Sequence, residues 1–103
     1  MTTLPGQDCT TMAEVRAGVD ALDRELIGLL RRRFDYMDAA ARIKPERGHV
    51  RDEARKAQVI ANAKANAAAV GLPEQEIGQL WDMLVEASIA YELAEFDSRV
   101  TKS

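Results

Sequence analysis

Residues 11–44 read TMAEVRAGVDALDRELIGLLRRRFDYMDAAARIK, and this stretch decides the fold. Thr11-Met12-Ala13-Glu14 has the form of a capping box, in which the Thr hydroxyl accepts from one free N–H and the Glu reaches back to another. Apolar residues then recur at Val15, Val19, Leu22, Leu26 and Leu29. These alternating steps of four and three are the seam of a helix packed along its length. The pattern runs on through Phe34, Met37 and Ala40 to Ile43, and Pro45 disfavours helix at Lys44 and ends it. The spacing predicts one helix of about 33 residues, roughly 50 Å long.

Working outward, Pro45 and Gly48 mark one connection, and Gly71 and Pro73 mark a second. The segments between are rich in Ala, Leu, Glu and Arg and poor in β-branched runs, which predicts helices over about Arg51–Val70 and Pro73–Ser98. Pro73 suits a helix's first position. The third helix carries a stripe of Ile77, Leu80, Trp81, Leu84, Ser88 and Tyr91. The fold class is all-α, with three helices in one domain over 11–98. Residues 1–10 form an arm before it and 99–103 a tail after it. A compact globule of about 100 residues has a radius of gyration of only about 13 Å, so the rest of one chain cannot wrap the first helix. The length mismatch predicts an intertwined homodimer.

The 103 residues carry 14 basic and 17 acidic side chains, a net charge of −3, which argues against a general nucleic-acid binder. An apolar fraction of 47% supports a core. There is one cysteine, Cys9, and one histidine, His49, so neither an internal disulfide nor a zinc site is expected. No apolar run is long enough to span a membrane, and the polar N-terminus has no signal-peptide core. A cytoplasmic protein is the expectation. His49 and Cys9 read as loop and arm residues, and Trp81 as core.

The informative residues break the binary pattern. After Leu29 the seam lands on Arg33. Lys44, 11 residues on, points in nearly the same direction, roughly 16 Å away. The pair suits the two ends of a small, doubly charged molecule. Arg33 has a competing reading as a surface arginine of the 31–33 run, and Lys44 as a lysine meeting the helix dipole. Arg16 lies roughly 25 Å from Arg33 along the axis and reaches such a ligand only from a partner chain, or else is plain surface. On the third helix Ser88 and Glu92 fall in a row with Leu84. A carboxylate there is costly unless paired or protonated, or unless it sits at the edge of the stripe. Arg51, Asp52, Glu53, Arg55 and Lys56 crowd the start of the second helix, where capping and surface pairing account for most of them. Glu86 and Glu95 read as solvated face. The Pro, Gly and charge content of the connection after Lys44 suggests a mobile lid.

Taken together, Arg16 six residues before Leu22-Asp23, Arg33, Lys44 and Val50-Arg51-Asp52-(x)2-Arg55 resemble the all-helical class of chorismate mutases. Asp8-Cys9-Thr10, Phe34-Asp35-Tyr36 and Ala40-Ala41-Arg42-Ile43-Lys44 look closest to its isochorismate-pyruvate lyase branch. The resemblance covers roughly Asp8 to Phe96. It implies a cofactor-free reaction in a pocket shared by two chains, acting on chorismate or isochorismate. Arg33 and Arg16 of the partner subunit would bind two carboxylates, helped by Arg55. Lys44 would donate to the ether oxygen, Asp52 would hold the ring hydroxyl, and Ser88 would line the ring-carboxylate side. Arginine suits carboxylates through its planar fork. Two positions depart from the pattern: Lys56 stands where many mutases carry Glu, and Glu92 where many carry Gln. Asp52 and Ser88 favour the mutase, and the N-terminal motif and loop length favour the lyase. A non-catalytic helical dimerisation module is the competing class.

Overall fold

The computed structural model describes residues 3–102, and among them the regular structure is helical. Helix α1 spans Met12–Ile43, α2 Glu53–Ala69 and α3 Glu74–Lys102. The predicted capping box is present: the Glu14 amide donates to Thr11 Oγ1 at 3.2 Å, and the Thr11 amide donates to Glu14 Oε1 at 3.0 Å. Lys44 closes α1, its amide donating to the Ala40 carbonyl at 2.9 Å. Helix α2 starts two residues later than expected because the Asp52 side chain caps it, accepting from the Arg55 amide. Its other end is a Schellman motif: Gly71, at φ +75, lets its own amide reach the Ala68 carbonyl and the Leu72 amide reach that of Ala67. Pro73 sits just before α3, where its carbonyl accepts from the Ile77 amide. Helix α3 continues to Lys102, past the expected end at Ser98. The arm before α1 contains a short 3-10 turn, Gly6–Asp8.

The chain divides into two compact units, Met1–Asp35 and Tyr36–Ser103. In the first, the α1 seam is bare: Val19, Leu22, Leu26 and Leu29 are each at least half exposed. In the second, α2 and α3 pack as a hairpin around Val50, Val85 and Ile89, flanked by Val59 and Leu93. Burying a valine of this kind contributes about 1.5–3 kcal/mol. Small residues allow the close approach of the two helices. Ala63 and Ala67 are buried on α2, and a Cβ on Gly78 would stand 3.0 Å from the Lys64 side chain.

The expected α3 stripe is turned from the true buried line. The deepest residues run through Gly78, Val85, Ser88, Ile89 and Glu92, whereas Leu80 is exposed and Trp81, expected in the core, is half-buried. The physical reason is the helix hairpin itself. Val85 and Ile89 pack with Val50, and Val59 of α2 lies against them, so this line is the one the hairpin buries.

Candidate active site

The end of α1, the connection after it and α3 bring polar groups together in the second unit. The end of α1 supplies Lys44, and α3 supplies Ser88 and Glu92, both buried to within 4% exposure. Lys44 Nζ donates to Glu92 Oε2 at 2.8 Å and to the Val50 carbonyl at 3.5 Å. The Glu92 side chain is sealed and that of Lys44 is about one-third exposed, so the ammonium is the part of the pair that reaches outward. Ser88 lies one turn before Glu92, and its hydroxyl donates back to the Leu84 carbonyl at 2.7 Å. Such a pair stabilises a fold weakly, because desolvation offsets attraction, but removing one partner costs about 3–5 kcal/mol. Glu92 therefore does not lie at a solvated edge, and Lys44 does more than meet a helix dipole.

The stretch expected as a mobile lid is anchored here at three points. A 3-10 turn, Arg47–His49, leads into buried Val50. Arg47 Nε donates to Asp97 Oδ1 at 2.9 Å, and Nη2 donates to Oδ2 at 3.3 Å. Arg51 grips Glu86 with both terminal nitrogens, at 2.8 and 3.0 Å. Val50 supplies most of the hold, since ion pairs this open to solvent are screened and contribute little. Exposed His49 stands 3.8 Å from the Glu46 carboxylate.

At the head of α2, Asp52 Oδ1 accepts from the Arg55 amide at 2.9 Å, and the Arg55 guanidinium donates to Gln58 at 2.6 Å. Lys56 reaches Glu86 at 2.8 Å and Asp82 at 3.1 Å. Glu86, expected as plain solvated face, thus takes three charged contacts, and Arg51 and Lys56 hold its carboxyl down to about 2. The same contacts raise Lys56 and Arg51 above their usual values.

The other two sequence candidates belong to the first unit. Arg33 is half-buried on α1, beside exposed Arg31 and Arg32, and Arg31 pairs with Asp35 at 3.0 Å. Arg16 is exposed near the start of α1. Pattern reading missed the Tyr91 hydroxyl donating to Asp38 at 2.8 Å, which ties α3 to the end of α1. It also missed the Val50 carbonyl beside Lys44. Backbone acceptors have no sequence signature, and partners about 50 residues apart show none.

The class defined so far is an all-α protein with a Lys–Glu pair and a serine gathered on one face of α3. The family follows from comparison with known proteins. The model of the family described as chorismate mutase type II matches residues 15–93, and the chain belongs to that family. It is also 28% identical over 87 residues to a protein named isochorismate pyruvate lyase from Pseudomonas aeruginosa, covering 84% of this chain and 86% of that one. Lys44, Ser88 and Glu92 all lie inside the matched region.

Proposed function

We propose that this protein is a chorismate mutase, converting chorismate to prephenate without a cofactor in a pocket completed by a second copy of the chain. The observation that carries this reading is the buried Lys44–Glu92 pair with Ser88 beside it. A structural bundle would fill those positions with apolar side chains. A Claisen rearrangement needs no nucleophile and no proton transfer. It needs a compact substrate conformer and stabilisation of charge on the breaking ether oxygen. Lys44 supplies that charge. Arg33 and Arg16 of the partner subunit take the two carboxylates, Arg55 assists, Asp52 takes the ring hydroxyl, and Ser88 lines the ring-carboxylate side. The bare seam of α1 supports the dimer, since Val19, Leu22, Leu26 and Leu29 need a cover.

A second reading, isochorismate-pyruvate lyase, is favoured by the name of the Pseudomonas aeruginosa relative. It uses the same cationic cage on isochorismate and yields salicylate and pyruvate. The test is incubation of the purified protein with each substrate and chromatography of the products. Prephenate from chorismate with isochorismate untouched is the expected result. Salicylate and pyruvate from isochorismate make it the lyase. No turnover of either from pH 4.5 to 8 overturns both and leaves a helical dimerisation module.

A further inference from the structure

Glu86 is a surface residue by position and a junction by contact. One oxygen receives Arg51 at 2.8 Å, and the other receives both Arg51 at 3.0 Å and Lys56 at 2.8 Å. Arg51 and Lys56 bracket the first turn of α2, in which Asp52 caps the helix through Oδ1. The second oxygen of Asp52 has no partner among the described residues. Glu86 itself stands on α3 six residues before Glu92, a rise of about 9 Å. A single carboxylate thus ties both sides of the Asp52–Arg55 turn to the helix that carries Ser88 and Glu92. The Lys44–Glu92 contact is made independently of it, from the end of α1.

We infer that Glu86 is a positioning residue of the candidate site: it sets the first turn of α2 against α3, so that the Asp52 carboxylate and Arg55 meet the substrate in place. The inference rests on the proposed function for the statement that this turn touches substrate. It divides the site into two independently held halves. The ether-oxygen half is fixed by α1 and α3 through Lys44 and Glu92. The ring-hydroxyl half is held by Glu86, which alone contacts both Arg51 and Lys56 among the described residues, with Asp82 adding a second contact to Lys56. Loosening the second half lowers the fraction of molecules competent to bind, and apparent affinity falls by that fraction.

The test uses the full chain and the variants Glu86→Gln and Glu86→Ala. In the ligand-free protein, the proton resonance of the Arg55 amide reports its bond to the Asp52 carboxylate. It is expected to move in both variants, further in the alanine one. With chorismate, KM is expected to rise about threefold to tenfold, with kcat within about twofold of the parent, the range that two half-exposed ion pairs provide. A surface pair that only stabilises the fold lowers the melting temperature and leaves both readouts unmoved; that result overturns the inference. So does an Arg55 amide that moves while KM stays constant. If the parent turns over neither chorismate nor isochorismate, the proposed function fails separately. The amide then decides on Glu86 alone: a moved resonance keeps it as the holder of the turn, and an unmoved one removes it.

Discussion

Two regions of this molecule violate binary patterning in opposite senses. Along the first half of α1, apolar side chains from Val19 to Leu29 lie bare. Between the end of α1 and α3, a glutamate and a serine take interior positions, and a lysine reaches in to the glutamate. A bare apolar seam is incomplete as a fold and asks for another protein surface. A buried, paired polar cluster is complete as a fold but weak as a source of stability, and asks for a reason of another kind. The first violation therefore points to assembly and the second to chemistry. In the proposed pocket, which two chains complete, the one depends on the other.

The largest effect should come from breaking the seam. Leu22→Glu with Leu26→Glu places two carboxylates on the bare face, and each resists burial. By sedimentation velocity the parent should run as a dimer and the double variant as a single chain of 11.4 kDa. Turnover should fall to background, because Arg16 of the partner subunit is lost with the partner. A parent that sediments as one chain, or a fully active double variant, would separate the two violations and end the link between them.

Next in size is the polar cluster itself. Lys44→Ala removes the proposed donor to the ether oxygen and should cost about 10²–10³ in kcat. It also leaves Glu92 buried without its cation, so it should be less stable than Glu92→Gln, which keeps a hydrogen-bonding partner for Lys44. Glu92→Gln sharpens the comparison. An ionised carboxylate only accepts hydrogen bonds, whereas an amide also donates them. The substitution removes the counter-charge of Lys44 and adds a second donor, so kcat should rise above that of the parent. A kcat that falls leaves Glu92 as an anchor for Lys44.

The two regions were also unequally legible in the sequence. Helix α1 could be read closely, because capping, seam and stop are all local signals: Thr11 and Glu14, the steps of four and three, and Pro45. Lys44 and Glu92 were legible as misplaced polar residues, since each sits on a periodic apolar face. Their contact was not, because they lie 48 positions apart and are brought together by the α2–α3 hairpin, and no local rule encodes that fold-back. The α3 stripe was misread by part of a turn for a similar reason. Helix α3 is apolar on several sides, so its own periodicity is weak, and the residues it meets, Val50 and Val59, decide which line is buried. Glu86 was unreadable: an acid on an outer face looks like any solvated glutamate until Arg51 and Lys56 are seen to close on it.

The smallest expected effect sets two exposed carboxylates against each other, one in each region. Glu14 is held below its usual value mainly by the Thr10 amide, with the Thr11 and Thr10 hydroxyls. Glu86 is held down to about 2 by Arg51 and Lys56. Both are lowered on folding. Each therefore contributes stability that is present above the ordinary carboxylate range and is lost as the pH falls through the folded value. For Glu86 that window runs from 4.5 down to about 2. The chemistry of the partners differs, however. Neutral amide and hydroxyl donors also serve a glutamine, which is an accepted capping-box residue, so Glu14→Gln should lose little at pH 6, less than Glu86→Gln, and that small difference should shrink as the pH falls. Cationic partners need the charge, so Glu86→Gln should melt below the parent at pH 6, and the gap should close toward pH 2. Because the Glu86 contacts are half-exposed, 1 M salt should also narrow that gap at pH 6. A gap that is independent of both pH and salt would mean that shape, and not charge, holds the first turn of α2.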